Sequence, residues 1–83
     1  MNVLITGASR GIGLEMVKLG IEQSWRDFAC CRHPQQAESL LSLAKLANGR
    51  VSVHVADMYE LATIQALSYE LRNEAIDILV NNA

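Results

Sequence analysis

Apolar residues recur along this chain with two different periods, and the period changes at regular intervals. Runs with every second residue apolar predict strands, whereas apolar residues three and four positions apart predict helices. Val51–Val55 shows the first pattern, and residues 34–47 show the second. The predicted strands are residues 2–6, 27–31, 51–55 and 76–81, and the predicted helices are residues 11–23, 34–47 and 59–73. Strands and helices that alternate in this way predict an α/β fold with a parallel sheet and right-handed crossovers.

The apolar positions also predict which helix faces pack on the sheet. In the first helix we expect Ile12, Met16, Leu19 and Gly20 to face the sheet. In the third helix we expect the same of Leu61, Ile64, Leu67 and Leu71. At the end of the second helix, Asn48-Gly49 is suited to a left-handed C-cap.

A doubly wound sheet with strand order 3-2-1-4 would place the fourth strand beside the first. Ligands of such sheets bind at the point where the strand order reverses. The segment after the first strand and Asn81-Asn82-Ala83 after the fourth would then flank one crevice.

Composition and net charge indicate the size of the domain and the kinds of partner to expect. The chain has 83 residues, 51% of them hydrophobic and 19% charged, which fits one small globular domain. The net charge is −2 with both signs interspersed, so we expect no nucleic-acid or membrane-surface partner. No apolar run is long enough to span a bilayer, and no basic leader precedes the first strand. Cys30 and Cys31 form neither a metal-ligand set nor a C-x-x-C pair, and reduced thiols fit a cytoplasmic location.

Three glycines lie where the first predicted strand leads into the first predicted helix, Gly7 between the two elements and Gly11 and Gly13 in the first turn of the helix. Gly7 can turn the chain sharply, Gly11 lets the backbone approach a pyrophosphate, and Gly13 lets the helix pack close to the strand. A helix N-terminus leaves backbone N–H groups unpaired and carries partial positive charge. The segment therefore predicts a phosphate-binding turn.

The spacing of these glycines is T-G-x-x-x-G-x-G over residues 6–13, not the common G-x-G-x-x-G. Together with Asn81-Asn82-Ala83, it resembles the short-chain dehydrogenase/reductase family, whose fourth strand ends in N-N-A-G. The resemblance extends over the whole chain but only over the first part of that family's usual length. It implies a Rossmann-type fold that binds a nicotinamide dinucleotide, and a reaction that transfers hydride between nicotinamide and a carbonyl or alcohol.

The resemblance also implies roles for individual residues. Thr6 and Ser9 match positions that fix the turn and meet phosphate or ribose, although Thr6 can equally be structural. An aspartate at the position of Asp57 accepts a hydrogen bond from the adenine amino group; the alternative is that Asp57 caps the third helix, and one residue can do both. Asn81 matches the asparagine that steadies the fourth strand near the nicotinamide ribose. The expected cofactor-binding residues are Gly7, Ser9, Arg10, Gly11, Ile12, Gly13, Arg32, Asp57, Met58, Asn81 and Ala83.

Two arginines bear on the choice of cofactor. An NAD site usually has an acidic residue at the end of the second strand, where this chain has Cys31-Arg32-His33. Arginine can accommodate a 2′-phosphate through charge-assisted contacts, and Arg10 adds a second cation within the turn. We therefore expect NADP(H) to be preferred over NAD(H). The alternative is that Arg32 only begins a solvated loop.

The catalytic residues of the resembled family are a Tyr-x-x-x-Lys pair, a serine and an asparagine. Tyr59 and Tyr69 are followed four residues later by Thr63 and Asn73, so the chain contains no Tyr-x-x-x-Lys. We predict no catalytic residue and no metal ligand, and His54 has no nucleophile or metal partner near it in the sequence.

Two hypotheses remain for the chain as a whole. In the first, it is the N-terminal, NADP(H)-binding part of an oxidoreductase whose catalytic half is absent, and it is inactive alone. In the second, it is a complete non-catalytic module that binds nucleotide or associates with itself through the open edge of the fourth strand.

Overall fold

Four parallel strands and three α-helices alternate along the chain in the computed structural model, which describes residues 1–82. The elements are β1 (Asn2–Ile5), α1 (Gly11–Glu22), β2 (Arg26–Cys31), α2 (Glu38–Leu46), β3 (Val51–Val55), α3 (Leu61–Glu70) and β4 (Ile78–Val80). The sheet has the order β3-β2-β1-β4, with every pair parallel. The predicted doubly wound, Rossmann-type fold and its 3-2-1-4 order are therefore confirmed.

The main core lies between the sheet and helices α1 and α2. Strand side chains alternate between faces, so Val3 and Ile5 of β1 and Ala29 of β2 face the same side, and all three are fully buried. Val17 of α1 and Leu40 of α2 pack into this cluster. Parallel strands with short crossovers thus bring the carboxyl ends of β1, β2 and β3 to one edge of the sheet.

The face of α1 that packs on the sheet was predicted only in part. Gly20 is buried and Met16 is partly buried against the core, as predicted. Ile12 is 72% exposed and Leu19 39% exposed, however, and Gly13 and Val17 are buried instead. A Cβ at position 13 would lie 2.0 Å from the Gly7 carbonyl oxygen. The helix backbone therefore packs directly on the turn, and glycine rather than a large apolar residue defines the buried face.

The second predicted helix is divided. Pro34–Gln36 forms a short 3₁₀ turn, Ala37 interrupts it with φ −91° and ψ 66°, and the α-helix begins at Glu38. At the other end, Asn48 and Gly49 have φ of 50° and 85°, as expected for a left-handed helix end.

Helix α3 and strand β4 are much less buried than the rest. Ile64 and Leu67 are half-buried, but Leu61, which was expected to face the sheet, is 68% exposed. The segment between α3 and β4 is fastened to β1 by polar contacts: the Asn2 backbone N–H donates to the Asp77 carboxylate at 2.7 Å, and the Asp77 N–H donates to the Asn2 carbonyl at 2.8 Å.

Candidate functional site

The glycine turn between β1 and α1 depends on close backbone contacts. Gly7 has φ +61°, and a Cβ there would lie 2.1 Å from the Asn82 carbonyl oxygen. Gly13 is equally confined against Gly7. No side chain can occupy either position without moving the backbone of a neighbouring segment. The roles predicted for these two glycines in the turn and in helix packing therefore match the geometry.

Gly11 is the exception among the three glycines. It has φ +58°, but a Cβ built there meets no heavy atom within 4 Å. Steric crowding by the protein therefore does not explain this glycine, and its face of the turn is open. It begins α1, whose N-cap residue Arg10 makes no side-chain capping bond, so the helix N-terminus is free to face a ligand.

A hydrogen-bonded clasp joins the ends of β1 and β4. The Asn82 backbone N–H donates to Thr6 Oγ1 at 2.8 Å, and the Asn82 side-chain amide donates to the Gly7 carbonyl at 3.2 Å. The Thr6 N–H donates to the Val80 carbonyl at 3.0 Å, and Asn81 Oδ1 lies 3.3 Å from Thr6 Oγ1. Thr6 and Asn82 therefore hold the turn in place, and Asn81 belongs to the same clasp.

A cleft of about 1040 Å³ opens at this edge of the sheet. Among the residues that line it are eight of the eleven that the sequence predicted, namely Gly7, Ser9, Arg10, Gly11, Ile12, Arg32, Asp57 and Met58. Gly13 lies beneath the turn and Asn81 beside it, and neither lines the cleft. Ala83 lies outside the described residues.

Two cations face this cleft. Arg10 and Arg32 are both exposed and line it from the glycine turn and from the end of β2. Within residues 1–82, neither forms an ion pair with a carboxylate. The cleft also contains the carboxylates of Glu38 and Asp57. The arginines are therefore free to pair with an anionic ligand.

Asp57 organises the turn that follows β3. Its Oδ1 accepts from the Tyr59 N–H at 3.0 Å, and its N–H donates to Thr63 Oγ1 at 2.9 Å. The N-cap of α3 is Glu60, so the alternative in which Asp57 caps that helix is wrong. Among the described residues, Asp57 Oδ2 accepts no hydrogen bond, which leaves it available to a ligand at the rim.

The sequence patterns missed one wall of the cleft. Gln36 at the end of the 3₁₀ turn and Glu38 and Ser39 at the start of α2 line it together with Tyr59. The start of a crossover helix lies at the carboxyl edge of a parallel sheet, and that rule was the only signal that could have indicated them.

Other kinds of site find no support in the part of the chain that the structure describes. Residues 1–82 contain no group of three or more His, Cys, Asp or Glu side chains that could hold a metal ion. None of the helices among them has the length and apolar character needed to cross a membrane.

Comparisons with known proteins agree with this geometry. The family model described as short chain dehydrogenase matches residues 1–83. A protein of Dichelobacter nodosus named as an NADP-dependent dehydrogenase is 38% identical over all of this chain and 77% of its own length. A short-chain dehydrogenase/reductase of an Arthrinium species is 39% identical over 95% of this chain and 30% of its own length.

Solved structures of two NADP-bound proteins also superpose on this chain. A carbonyl reductase of Pseudomonas aeruginosa in complex with NADP superposes with a TM-score of 0.92 at 35% identity, over 99% of this chain and 37% of that one. A short-chain dehydrogenase/reductase of Burkholderia multivorans with bound NADP gives a TM-score of 0.91 at 29% identity, over 99% and 36%. The chain thus spans about a third of the length of most of these relatives.

Proposed function

The chain belongs to the short-chain dehydrogenase family, and from that premise we propose that it is the NADP(H)-binding part of an oxidoreductase. The observation that carries the proposal is Gly11: a left-handed glycine with open space at its Cβ position, at a free helix N-terminus. Its φ of +58° by itself favours glycine, and the open space beside it leaves room for the close approach of a ligand phosphate.

The cleft has the shape and chemistry for a dinucleotide. In the proposal, the first-turn N–H groups of α1 receive the pyrophosphate beside Gly11 and Ile12, while Ser9 adds a hydroxyl donor. Gly7 and Gly13 keep the turn in the conformation that exposes those N–H groups. A cleft of about 1040 Å³ is large enough for the adenosine and pyrophosphate parts of the cofactor.

The preference for NADP(H) over NAD(H) rests on Arg10 and Arg32. Both guanidinium groups line the cleft without a carboxylate partner among residues 1–82. A 2′-phosphate would accept charge-assisted hydrogen bonds from them, whereas a bare ribose hydroxyl would leave them unpaired. The NADP bound in the two structural relatives, and the name of the Dichelobacter nodosus protein, support this cofactor.

The remaining predicted residues extend the proposal to the two ends of the cofactor. Asp57 and Met58 would contact the adenine, with Asp57 Oδ2 accepting from its amino group. Asn81 would support the nicotinamide ribose through the clasp at Thr6, and Ala83 is proposed from the resemblance alone.

Cofactor binding and hydride transfer depend on different residues in the proposed oxidoreductase. When bound, the nicotinamide supplies or accepts the hydride. The sequence contains no Tyr-x-x-x-Lys, since Thr63 and Asn73 stand four residues after its two tyrosines. We therefore propose that these 83 residues bind cofactor without turnover, and that a carbonyl or alcohol substrate is a property of the whole oxidoreductase.

Strand β4 supports a second candidate function, self-association. It forms one edge of the sheet and leaves Ile78 39% and Leu79 63% exposed. An exposed apolar edge strand is a template for pairing with another strand. In this alternative the chain is a non-catalytic module that pairs through β4 and binds nucleotide. Light scattering that shows a stable monomer at high concentration would rule it out.

Titration of the purified protein with NADPH and with NADH tests the main proposal. We expect NADPH to bind more than tenfold tighter, because a charge-assisted hydrogen bond contributes about 1.5–3 kcal/mol. Arg32→Asp should weaken NADPH at least tenfold and leave NADH within threefold. Arg72→Asp, an exposed arginine outside the cleft, is the matched control and should change neither. Unchanged NADPH affinity in the Arg32 variant would refute the assignment.

A further inference from the structure

Three polar side chains meet on the side of the sheet that faces α3. Ser52 Oγ lies 2.7 Å from His54 Nε2, and His54 Nδ1 contacts the Glu70 carboxylate. The sequence pattern indicated neither partner of His54: Ser52 lies two residues away on the same strand, and Glu70 lies 16 residues away on another element. We propose that Ser52 is a nucleophile activated by His54 and Glu70, and that this site accepts carboxylic esters with a small acyl group.

The order of the contacts is the one that activation of a serine requires. A carboxylate at Nδ1 holds the ring in the tautomer that carries its proton there. Nε2 is then an acceptor, and the Ser52 hydroxyl donates to it. A nucleophile, a base within hydrogen-bond reach and a third group that orients the base are the geometric signature of nucleophilic catalysis on unrelated folds.

The base and the nucleophile lie on a rigid element. Ser52 and His54 are two residues apart on β3, so their side chains project from the same face of the strand. The His54 side chain is only 8% exposed, and its ring centroid lies 5.8 Å from that of the buried Phe28 ring. The imidazole therefore has little freedom to turn away from Ser52.

A cavity of about 440 Å³ lies beside His54 at the open edge of the sheet, with Ala62, Ala66 and Leu67 among its walls. Ser52 is half-buried and does not itself line this cavity, which it adjoins through its hydrogen bond to His54. Glu70, at its rim, is 56% exposed. The volume and the apolar lining suit a short acyl chain better than a charged or extended one.

The edge of β3 also offers a donor for the oxyanion. Strand β3 pairs only with β2 among the described residues, and the bonds from Asp27 N–H to Arg50 and from Ala56 N–H to Cys31 show which residues face β2. Residues of even number point towards β2, so the Val53 N–H points to the open edge. It directly follows Ser52 and would donate to the oxyanion of the tetrahedral intermediate.

The proposed reaction consumes only the ester and one water molecule. Ser52 Oγ bonds to the ester carbonyl carbon while His54 Nε2 takes the hydroxyl proton. The C–O bond to the alcohol breaks, and His54 returns that proton to the departing alkoxide. Water then attacks the acyl–Ser52 ester with His54 again as base, which releases the carboxylic acid and restores the serine.

None of these three residues lines the nucleotide cleft, so this proposal and the cofactor proposal can fail independently. The test uses p-nitrophenyl acetate and the purified protein. Release of nitrophenolate gives the rate, and mass spectrometry of the acid-quenched protein and its peptides locates the acetyl group. We expect one acetyl group on Ser52.

Two variants measure the nucleophile and the base. Ser52→Ala and His54→Gly should each lower the acylation rate on the order of 100-fold, the usual contribution of a positioned base. Added imidazole should restore acylation of the His54→Gly protein, which repair of a structural defect would not do. Ser68→Ala removes an exposed serine on α3 and is the matched control, with no change expected.

Glu70 acts through His54 and is a positioning residue. Glu70→Gln should lower the acylation rate constant about tenfold, while the half-saturating ester concentration stays within twofold. Acetylation at a residue other than Ser52, a rate in Ser52→Ala equal to that of the parent, or no rescue by imidazole in a folded His54→Gly protein would each overturn the proposal.

Discussion

The side chains of β1 and β2 that face α1 and α2 are fully buried, whereas β4 exposes most of Leu79 and α3 buries none of its residues completely. The first region, the packed region, comprises β1, β2, α1 and α2 and is held by apolar packing and by backbone contacts at Gly13 and Gly20. The second, the polar region, comprises α3, β4 and the segment between them and is held largely by polar contacts, such as Arg26–Glu74 at 2.9 Å and Asn2–Asp77 at 2.7 Å.

This difference matters because the nucleotide cleft is built from both regions. The glycine turn and Arg32 belong to the packed region, whereas Asp57 and Asn82 follow β3 and β4 and are positioned by hydrogen bonds. We expect substitutions in the packed region to act on the folding of the whole domain. Substitutions in the polar region should instead change local order at one wall of the cleft.

The largest effect is expected for Gly13→Ala. The new Cβ would lie 2.0 Å from the Gly7 carbonyl oxygen, which is backbone and cannot rotate away. We expect the free energy of unfolding to fall by more than ~3 kcal/mol, because overpacking against backbone forces the helix to move. Urea unfolding followed by circular dichroism measures this.

Gly11→Ala is the matched control for that substitution. Its Cβ would meet nothing within 4 Å, so only the positive φ is unfavourable, at about 1–2 kcal/mol. The variant should stay folded and lose at least tenfold in NADPH affinity, since the methyl group projects where the pyrophosphate is proposed to bind. Equal destabilisation by the two substitutions would contradict the distinction between a packed and an open glycine.

A second effect concerns Asp27, a fully buried acid in the packed region. Among the described residues, neither of its carboxylate oxygens has a hydrogen-bond partner, and burial raises the pKa of Asp27 from 3.8 to about 6. The folded state therefore holds a proton that the unfolded state releases between these two values. Asp27 lowers the stability progressively as the pH rises from about 4 to about 6, by about 3 kcal/mol in full.

Asp27→Asn removes the charge, so its stability advantage over the parent should grow from near zero at pH 4 to about 2–3 kcal/mol at pH 7. Urea midpoints measured between these pH values follow the difference. Glu22→Gln, at an exposed position on α1, is the control and should track the parent. Parallel curves for the Asp27 variant and the parent would mean that Asp27 is not the group responsible.

Most of the fold could be predicted because the hydrophobic period is a local property. The bounds of β3 were predicted correctly at Val51–Val55, and the alternation of strands and helices predicted the parallel sheet. The order 3-2-1-4 was predicted from the doubly wound pattern and is confirmed. The face of α1 was predicted only in part, because an apolar count gave no weight to Gly13, whose backbone packs against Gly7, while the predicted Gly20 does pack against Asp27 of β2. The burial of Asp27 depends on this packing, since its carboxylate lies where a Gly20 Cβ would be.

The candidate site, like the fold, could be predicted only in part. The glycine turn could be predicted since all its residues lie within eight positions of one another. The wall formed by Glu38 and Ser39 could not, because it depends on where the chain leaves the 3₁₀ turn after Pro34. The contact of His54 with Glu70 depends on how α3 crosses back over β3, which no sequence period records.

The smallest effect is expected in the polar region, at Glu74. Its carboxylate pairs with Arg26, whose guanidinium also lies 4.8 Å from the centre of the Phe28 ring. Glu74→Gln should lower the global stability by less than ~1 kcal/mol, because a partly exposed ion pair gains little over its hydrated partners. The same substitution should speed hydrogen exchange in β4 and the segment before it, while β1 and β2 keep their protection.

Salt provides the means to separate this effect from a general loss of stability. The pair between Glu74 and Arg26 is more buried than the one between Glu15 and Lys18, whose side chains are 69% and 47% exposed. Glu15→Gln is therefore the control, with no change in exchange at any strand. Because the Arg26 side chain is 50% exposed, salt screens the pair in part, and 1 M salt should bring β4 exchange in the parent part of the way towards that of Glu74→Gln. If Glu74→Gln instead speeds exchange equally in β1, β2 and β4, the sheet opens as one unit, and the polar region is no less firmly held than the packed one.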